Sequence, residues 1–292
     1  MASVLITGTS RGIGLETALA FARAGHTAFA TMRNPSASPE LAEVAANEEL
    51  PVHIYTMDVD SDSSVRSAIT AIQNDHGAID VLVNNAGIER TASIEELPLV
   101  EFKAVMETNY FGALRCIQAL VPDMRERRSG CIINVSSVAG RIASPPLTPY
   151  MASKWALEAL SEGLACELKA FNVRVAIIEP GIIDTAMARS IGTSISASYP
   201  HRERFASIFS AALKHPISPS LVAQKILEVA ETDTWQLRHP VGPDAVPFLQ
   251  WRNRMSDEEW VDYNASDNET FYANFERDFG LDARPKLEEM EA

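Results

Sequence analysis

The chain has 292 residues, 46% of them hydrophobic, and a formal net charge of −14. That size and apolar content suit one large α/β domain with a sizeable core. The acidity argues against nucleic acid or an anionic membrane surface as partner, so neither is expected.

Three cysteines (Cys116, Cys131, Cys166) form no C-x-x-C pair, and six histidines form no H-E-x-x-H cluster, so no metal site is expected. No apolar run is long enough to span a bilayer, and residues 3–6 are too short for a signal-peptide core. The unpaired thiols fit a reducing compartment, and a cytoplasmic location is expected.

In chain order, residues 3–7 read as a short apolar strand. Gly8-Thr9-Ser10-Arg11-Gly12-Ile13-Gly14 turns it into a helix that runs through Ala24 and ends at Gly25. A glycine-rich strand-to-helix turn lets backbone N–H groups approach a pyrophosphate, and the helix N-terminus favours its charge. Residues 27–32 form a second strand, with Met32-Arg33 at its end, and 39–49 a helix. The third strand covers 52–57 and exits at Asp58-Val59. Asp60 or Ser61 then caps a helix to His76.

Residues 79–83 are the fourth strand, leading into Asn84-Asn85-Ala86-Gly87. Glu89-Arg90 follows, either as a polar contact or as solvated charge. Pro98 opens a helical pattern with a break near Asn109 that continues to Arg127. The fifth strand, 131–135, reaches Ser136 and Ser137. A helix over 150–170 carries Tyr150 and Lys154 four residues apart, on one face. A neighbouring ammonium favours phenolate, which would bring a tyrosine of pKa ~10 toward proton exchange with an alcohol or ketone.

Residues 173–178 give a sixth strand, followed by Pro180-Gly181. Residues 182–216 keep no single apolar period. A helix starts at Ser218-Pro219 and runs to Glu231, and 235–241 fit a last strand. From Arg252 to the end there are twelve acids against five bases, with Trp260, Tyr263, Phe271, Tyr272, Phe275 and Phe279 interleaved. Charge alone suggests a disordered tail. The aromatics suggest that 257–279 packs, on its own core or on a neighbouring subunit. Alternating helices and continuously apolar strands predict a doubly wound, Rossmann-like parallel sheet: α/β, one domain at 1–243 with an extension at 244–292.

The glycine turn in the form Thr7-Gly8-x-x-x-Gly12-x-Gly14, Asn84-Asn85-Ala86-Gly87, Ser137 and Tyr150-x-x-x-Lys154 stand in one order and spacing. As a set they resemble the short-chain dehydrogenase/reductase family in its standard, non-extended branch, over about residues 3–241. Within it the look is nearest to hydroxysteroid and retinol dehydrogenase members. About fifty residues after Val241 are too few for the substrate domain of the extended branch.

The resemblance implies a catalytic set of Asn109, Ser137, Tyr150 and Lys154. Tyr150 exchanges the proton, Lys154 lowers its pKa and binds the nicotinamide ribose, Ser137 donates to the substrate oxygen, and Asn109 holds a water chain to Lys154. Ser136 is the rival serine, one residue too far from Tyr150. For the cofactor it implies Gly8, Ser10, Arg11, Gly12, Ile13 and Gly14 at the pyrophosphate. Asp58 and Val59 take the adenine, Asn84, Ala86 and Gly87 line the adenosine side and brace the sheet, with a structural role for Asn85, and Pro180, Gly181, Ile183 and Thr185 take the nicotinamide. Relatives that prefer NAD carry an acid where Met32 stands. Arg11 and Arg33 can instead fork onto a 2′-phosphate, so NADP(H) is expected over NAD(H).

The expected activity is NADP(H)-dependent interconversion of a hydrophobic alcohol and its ketone or aldehyde, with residues 182–216 as the substrate loop. The family also implies a homodimer or homotetramer through the helices that begin near Pro98 and Tyr150. The alternative is a non-catalytic NADP(H)-binding sensor or regulator.

Overall fold

A computed structural model describes residues 1–191 and 199–285. Part of the expected substrate loop (192–198) and the last seven residues of the extension lie outside the described residues. Seven parallel strands form one sheet in the order β3-β2-β1-β4-β5-β6-β7. They are β1 (Ser3–Thr7), β2 (Thr27–Met32), β3 (Val52–Thr56), β4 (Val81–Asn84), β5 (Gly130–Val135), β6 (Val173–Pro180) and β7 (Arg238–Val241). Helices α1 (Gly12–Arg23), α2 (Glu40–Asn47) and α3 (Asp62–His76) separate the first four strands. Then come α4 (Leu99–Met106), α5 (Gly112–Arg127), α6 (Thr148–Leu168), α7 (Ala186–Ile191), α8 (Pro200–Ala212) and α9 (Pro219–Glu231).

Side chains alternate across each strand, so a single strand feeds two cores. Val4 and Ile6 of β1 pack with α1 and α9 on one face, while Leu5 packs with α3, α5 and α6 on the other. Both faces are covered, which is why the strands read as unbroken apolar runs. The order reverses between β1 and β4, and a ligand cleft is expected outside the carboxyl ends of those strands.

The break expected near Asn109 is a π-helical turn, Glu107–Phe111, between α4 and α5. Ser61, not Asp60, caps α3, accepting from the Ser64 N–H. The stretch without a period resolves into α7 and α8. Ile208 and Ala211 of α8 are buried against the extension, while Phe205 and Phe209 pack against Leu147, Met151 and Ile191, so no single apolar stripe is needed.

The extension is folded: α10 (Ala245–Asn253), α11 (Asp257–Ala265) and α12 (Asn268–Phe279). Ser256 and Glu259 form a reciprocal capping box on α11, and Asp267 caps α12 through the Thr270 N–H. Tyr263, Phe271, Tyr272 and Phe275 are buried with Ile208 and Ala211 of α8, and Trp251 meets Trp260 edge-on at 4.7 Å. The extension therefore packs on its own chain.

Candidate active site

A cleft of about 400 Å3 opens where the strand order reverses, a size that suits a cofactor-and-substrate site. Its floor at one end is the glycine turn. Gly8 (φ +72°) and Gly12 (φ +60°) take left-handed backbone that other residues resist. A side chain at Gly14 would begin 2.3 Å from the Gly8 carbonyl and 2.5 Å from Asn85 Nδ2, so Gly14 serves by close approach behind the cleft wall. Arg11 precedes α1 in extended conformation and makes no side-chain cap. The first N–H groups of α1 thus keep no side-chain acceptor from the capping position, which fits a pyrophosphate.

Asn85 locks this turn. Its Nδ2 donates to the carbonyls of Thr7 (2.9 Å) and Gly8 (3.1 Å), and the N–H groups of Asn85 and Ala86 both donate to Thr7 Oγ1 at 3.0 Å. Ser10, Arg11, Ile13, Met32, Arg33, Asp58, Val59, Ala86 and Gly87 line the same end.

One residue that the family pattern places there, Asn84, does not line the cleft. Asn84 is buried inside the sheet, where Nδ2 donates to Asn134 Oδ1 (2.8 Å) and Asn134 in turn donates to Ser161 Oγ. It braces β4 against β5 and does not line the cleft. The acid that joins Asp58 at the wall is Asp60, whose Oδ2 accepts from Thr108 Oγ1 at 3.0 Å while Oδ1 is buried without a partner. Burial pushes the Asp60 acid up. Its sequence signal was ambiguous, because an acid after a strand reads equally well as a helix cap.

At the other end Ser137, Tyr150 and Lys154 share one wall. Ser137 lies just past β5, accepting from Ala139 N (3.1 Å) and donating to the Pro180 carbonyl (3.3 Å). Tyr150 sits in the first turn of α6, lining the cleft with Ser137. Lys154, 4% exposed, donates from Nζ to the Val135 carbonyl at 2.8 Å, 5.5 Å from the Tyr150 ring centre.

Burial pushes Tyr150 up to about 12, against the opposing Ser137 bond, and Glu89 adds to the rise. Lys154 is itself drawn down to about 8 by burial, with Glu158 opposing the fall. Spacing on a helix gave the proximity but not the desolvation, which dominates both groups.

Asn109 is held by three hydrogen bonds. Its Oδ1 accepts from the Ile88 N–H (2.8 Å), and Nδ2 donates to the Ile88 carbonyl (2.9 Å) and to Ser153 Oγ (2.9 Å). It is buried and ties the loop after β4 to α6, without lining the cleft. The π turn supplies this geometry by swinging Asn109 inward.

Pro180, Gly181, Ile183 and Thr185 line the cleft beneath Ser137. The turn is held from the extension side. Asp244 Oδ2 accepts from Ile182 N at 2.7 Å, and a side chain at Gly181 would meet Asp244 Oδ1 at 2.1 Å.

Beyond Tyr150 the cleft continues between α8 and the extension, along Phe205, Ile208, Phe209, Phe248, Trp251, Phe271 and Phe275. Arg204 fastens this wall. Its guanidinium, 3% exposed, donates to Asn268 Oδ1 (2.7 Å) and to the carbonyls of Asn264 (3.1 Å) and Ser266 (2.7 Å) where α11 ends, and lies over Phe271. Aromatic content in the sequence signalled packing, but not that the packed face would form the cleft.

Among the described residues no group of three His, Cys, Asp or Glu side chains is placed to hold a metal. No helix among them is long and apolar enough to cross a membrane.

The seven-stranded parallel sheet, the glycine turn and the wall of Ser137, Tyr150 and Lys154 together define a Rossmann-like fold with one cleft across its strand ends. The family model for short chain dehydrogenases matches residues 2–195, and the chain belongs to that family. Bovine retinol dehydrogenase 8 is 36% identical over 263 residues, covering 85% of this chain and 83% of that protein. The structure of a short-chain dehydrogenase from Streptomyces avermitilis superposes with a TM-score of 0.78 at 32% identity, over 90% of this chain and 97% of that one. A gluconate 5-dehydrogenase from Burkholderia cenocepacia, in complex with NADP and tartrate, gives 0.73 at 28% identity, over 84% and 95%.

Proposed function

We propose that the protein is an NADP(H)-dependent oxidoreductase that interconverts a hydrophobic alcohol and its ketone or aldehyde. The observation that carries this reading is the convergence of Ser137, Tyr150 and Lys154 on one wall of a cleft whose far end is a glycine cradle beside Arg11 and Arg33. The complete set weighs against a non-catalytic sensor.

When bound, the nicotinamide supplies or accepts the hydride. The chain's own residues do the rest. The α1 N-terminus and Gly8-Gly12-Gly14 turn take the pyrophosphate, and Arg11 and Arg33 take a 2′-phosphate. That NADP is present in the Burkholderia structure supports this choice of nucleotide. Ser137 Oγ orients and polarises the substrate oxygen. Tyr150, held protonated by burial, gives its proton to that oxygen in reduction and takes it back in oxidation. Lys154 binds the ribose and its ammonium stabilises the phenolate that reduction leaves. Asn109 positions this pair through Ile88 and Ser153.

The aromatic wall from α8, α10 and α12 supports a bulky apolar substrate, consistent with the retinol named in the bovine relative. We place the domain boundary near residue 243. Leu99, Val100, Phe111 and Trp155 are exposed on or beside α4 and α6, which supports a homodimer or homotetramer. Cys116 and Cys131 are buried free thiols, in keeping with a cytoplasmic setting.

The test is NADPH consumption on a panel of ketones and aldehydes graded in size and polarity. Turnover rising with apolar bulk supports the reading. Cofactor binding without turnover across the panel overturns it.

A further inference from the structure

Behind the reacting wall lies a buried charge cluster that the proton and hydride steps do not use. Glu158 of α6 is 4% exposed and Glu179 of β6 is 1% exposed. Glu158 Oε2 accepts from Arg238 Nε at 2.9 Å, while Arg141 Nη1 approaches Glu179 Oε1 at 3.4 Å. Burying two carboxylates is costly unless the site needs them.

Three observations direct Glu158 toward Lys154. It stands one helical turn after Lys154, so both side chains leave α6 on the same face. Lys154 Nζ is fixed on the Val135 carbonyl, and the next residue, Ser136, lies against the same glycine as Glu158. A methyl group added at Gly140 would stand 2.6 Å from Ser136 Oγ and 3.2 Å from Glu158 Oε1. Glu158 Oε1 is buried without a hydrogen-bond partner, so that half of the carboxylate is not spent on Arg238.

We propose that Glu158 is a positioning residue for the reaction: its buried carboxylate, held by Arg238, is the counter-charge that keeps Lys154 an ammonium. The proposal rests on the reading of Tyr150 and Lys154 as the reacting pair. Burial works against the Lys154 cation, and Glu158 is the group that opposes it. The other ionisable groups around the pair are Tyr150 on α6, Glu89 after β4, Arg141 after β5, Glu179 on β6 and Arg238 on β7. Arg141 and Arg238 pair with the two acids, and Lys154 Nζ bonds the Val135 carbonyl, so Glu158 acts on the ammonium through its field across one helical turn and not as a direct ion pair.

The sign follows directly. An opposite charge close by favours the charged form of lysine, so neutralising Glu158 makes Lys154 lose its proton at lower pH. The sequence has six lysines, so carbon-13 labelling of the lysine ε-carbon gives few signals, and Lys154→Arg identifies the one that matters. In Glu158→Gln the Lys154 midpoint is expected to fall by about one to three pH units. The alkaline limb of ketone reduction is expected to move down with it. Glu158→Asp, which keeps the charge, retains both values near wild type. Glu162→Gln, which removes the exposed second partner of Arg238, leaves them in place.

An unchanged midpoint in a folded Glu158→Gln protein overturns the proposal, as does a shifted midpoint with an unmoved alkaline limb. Glu158→Met is the second neutral variant if glutamine prevents folding. Wild-type protein that reduces no ketone sinks the functional reading instead, while the nuclear magnetic resonance midpoint still decides the Glu158–Lys154 coupling.

Discussion

Arg204→Met tests whether the extension is a working wall of the cleft. The guanidinium gives three bonds to neutral oxygens, on Asn264, Ser266 and Asn268. Methionine fills much of the volume but leaves those acceptors without a donor. At about 1–3 kcal/mol for each buried acceptor left unsatisfied, the gross loss is on the order of 3–9 kcal/mol. Relief from burying a cation offsets part of that, and a net cost of about 3 kcal/mol is expected. For a chain of this size, at about 2–4 °C per kcal/mol, the melting temperature should fall by roughly 6–12 °C. Because the lost bonds sit where α11 meets α12, the loosening should be local. Limited proteolysis should cut first within 257–285, and KM should rise more for bulky apolar ketones than for small ones. An unchanged melting temperature and cleavage pattern would refute the clamp argument.

Gly14→Ala should abolish cofactor binding, by two orders of magnitude or more in a fluorescence titration, because its Cβ would stand 2.3 Å from the Gly8 carbonyl; wild-type affinity would mean the turn is not the cradle. Arg33→Asp should reverse the NADP-over-NAD preference in kcat/KM; an unchanged ratio would leave the nucleotide choice to other residues. Ketone reduction should decline on the alkaline side near pH 8, where Lys154 passes from ammonium to amine, since its folded value is held at about 8. Oxidation requires the Tyr150 phenolate and should gain from rising pH until that loss sets in; a reduction rate that stays flat to pH 10 would contradict the assignment. With Cys116 raised to about 12 and Cys131 to about 11 by burial, a thiol reagent should titrate one group in the native protein, the exposed Cys166, and three after unfolding.

Much of the sheet was legible because each strand is an apolar run bounded by a turn residue, and because the motifs fall at strand ends. The helices of residues 186–212 were not, since α8 turns Ile208 and Ala211 to the extension and Phe205 and Phe209 to Leu147, Met151 and Ile191, and shows no single stripe. At the site, Tyr150 and Lys154 could be paired from helical spacing alone. Desolvation could not be read that way, and it acts on both groups. Asn84 and Asn109 show a second limit. An amide in an apolar segment has the same appearance whether it faces a cleft or closes inward, and here Asn84 closes on the Asn134 side chain and Asn109 on the Ile88 backbone. Asp244 and Arg204 act across sixty residues or so of chain, and such pairings have no local signature.

The central claim is that Tyr150 passes a proton to a carbonyl oxygen while the cofactor passes hydride to its carbon. The most direct measurement follows deuterium from 4-deuterated NADPH into product, in the wild type and in Tyr150→Phe. The account predicts one deuterium on the carbinol carbon with the wild type, and a rate at least a hundredfold lower in the variant with cofactor affinity retained. Equal deuterium transfer by Tyr150→Phe would contradict it.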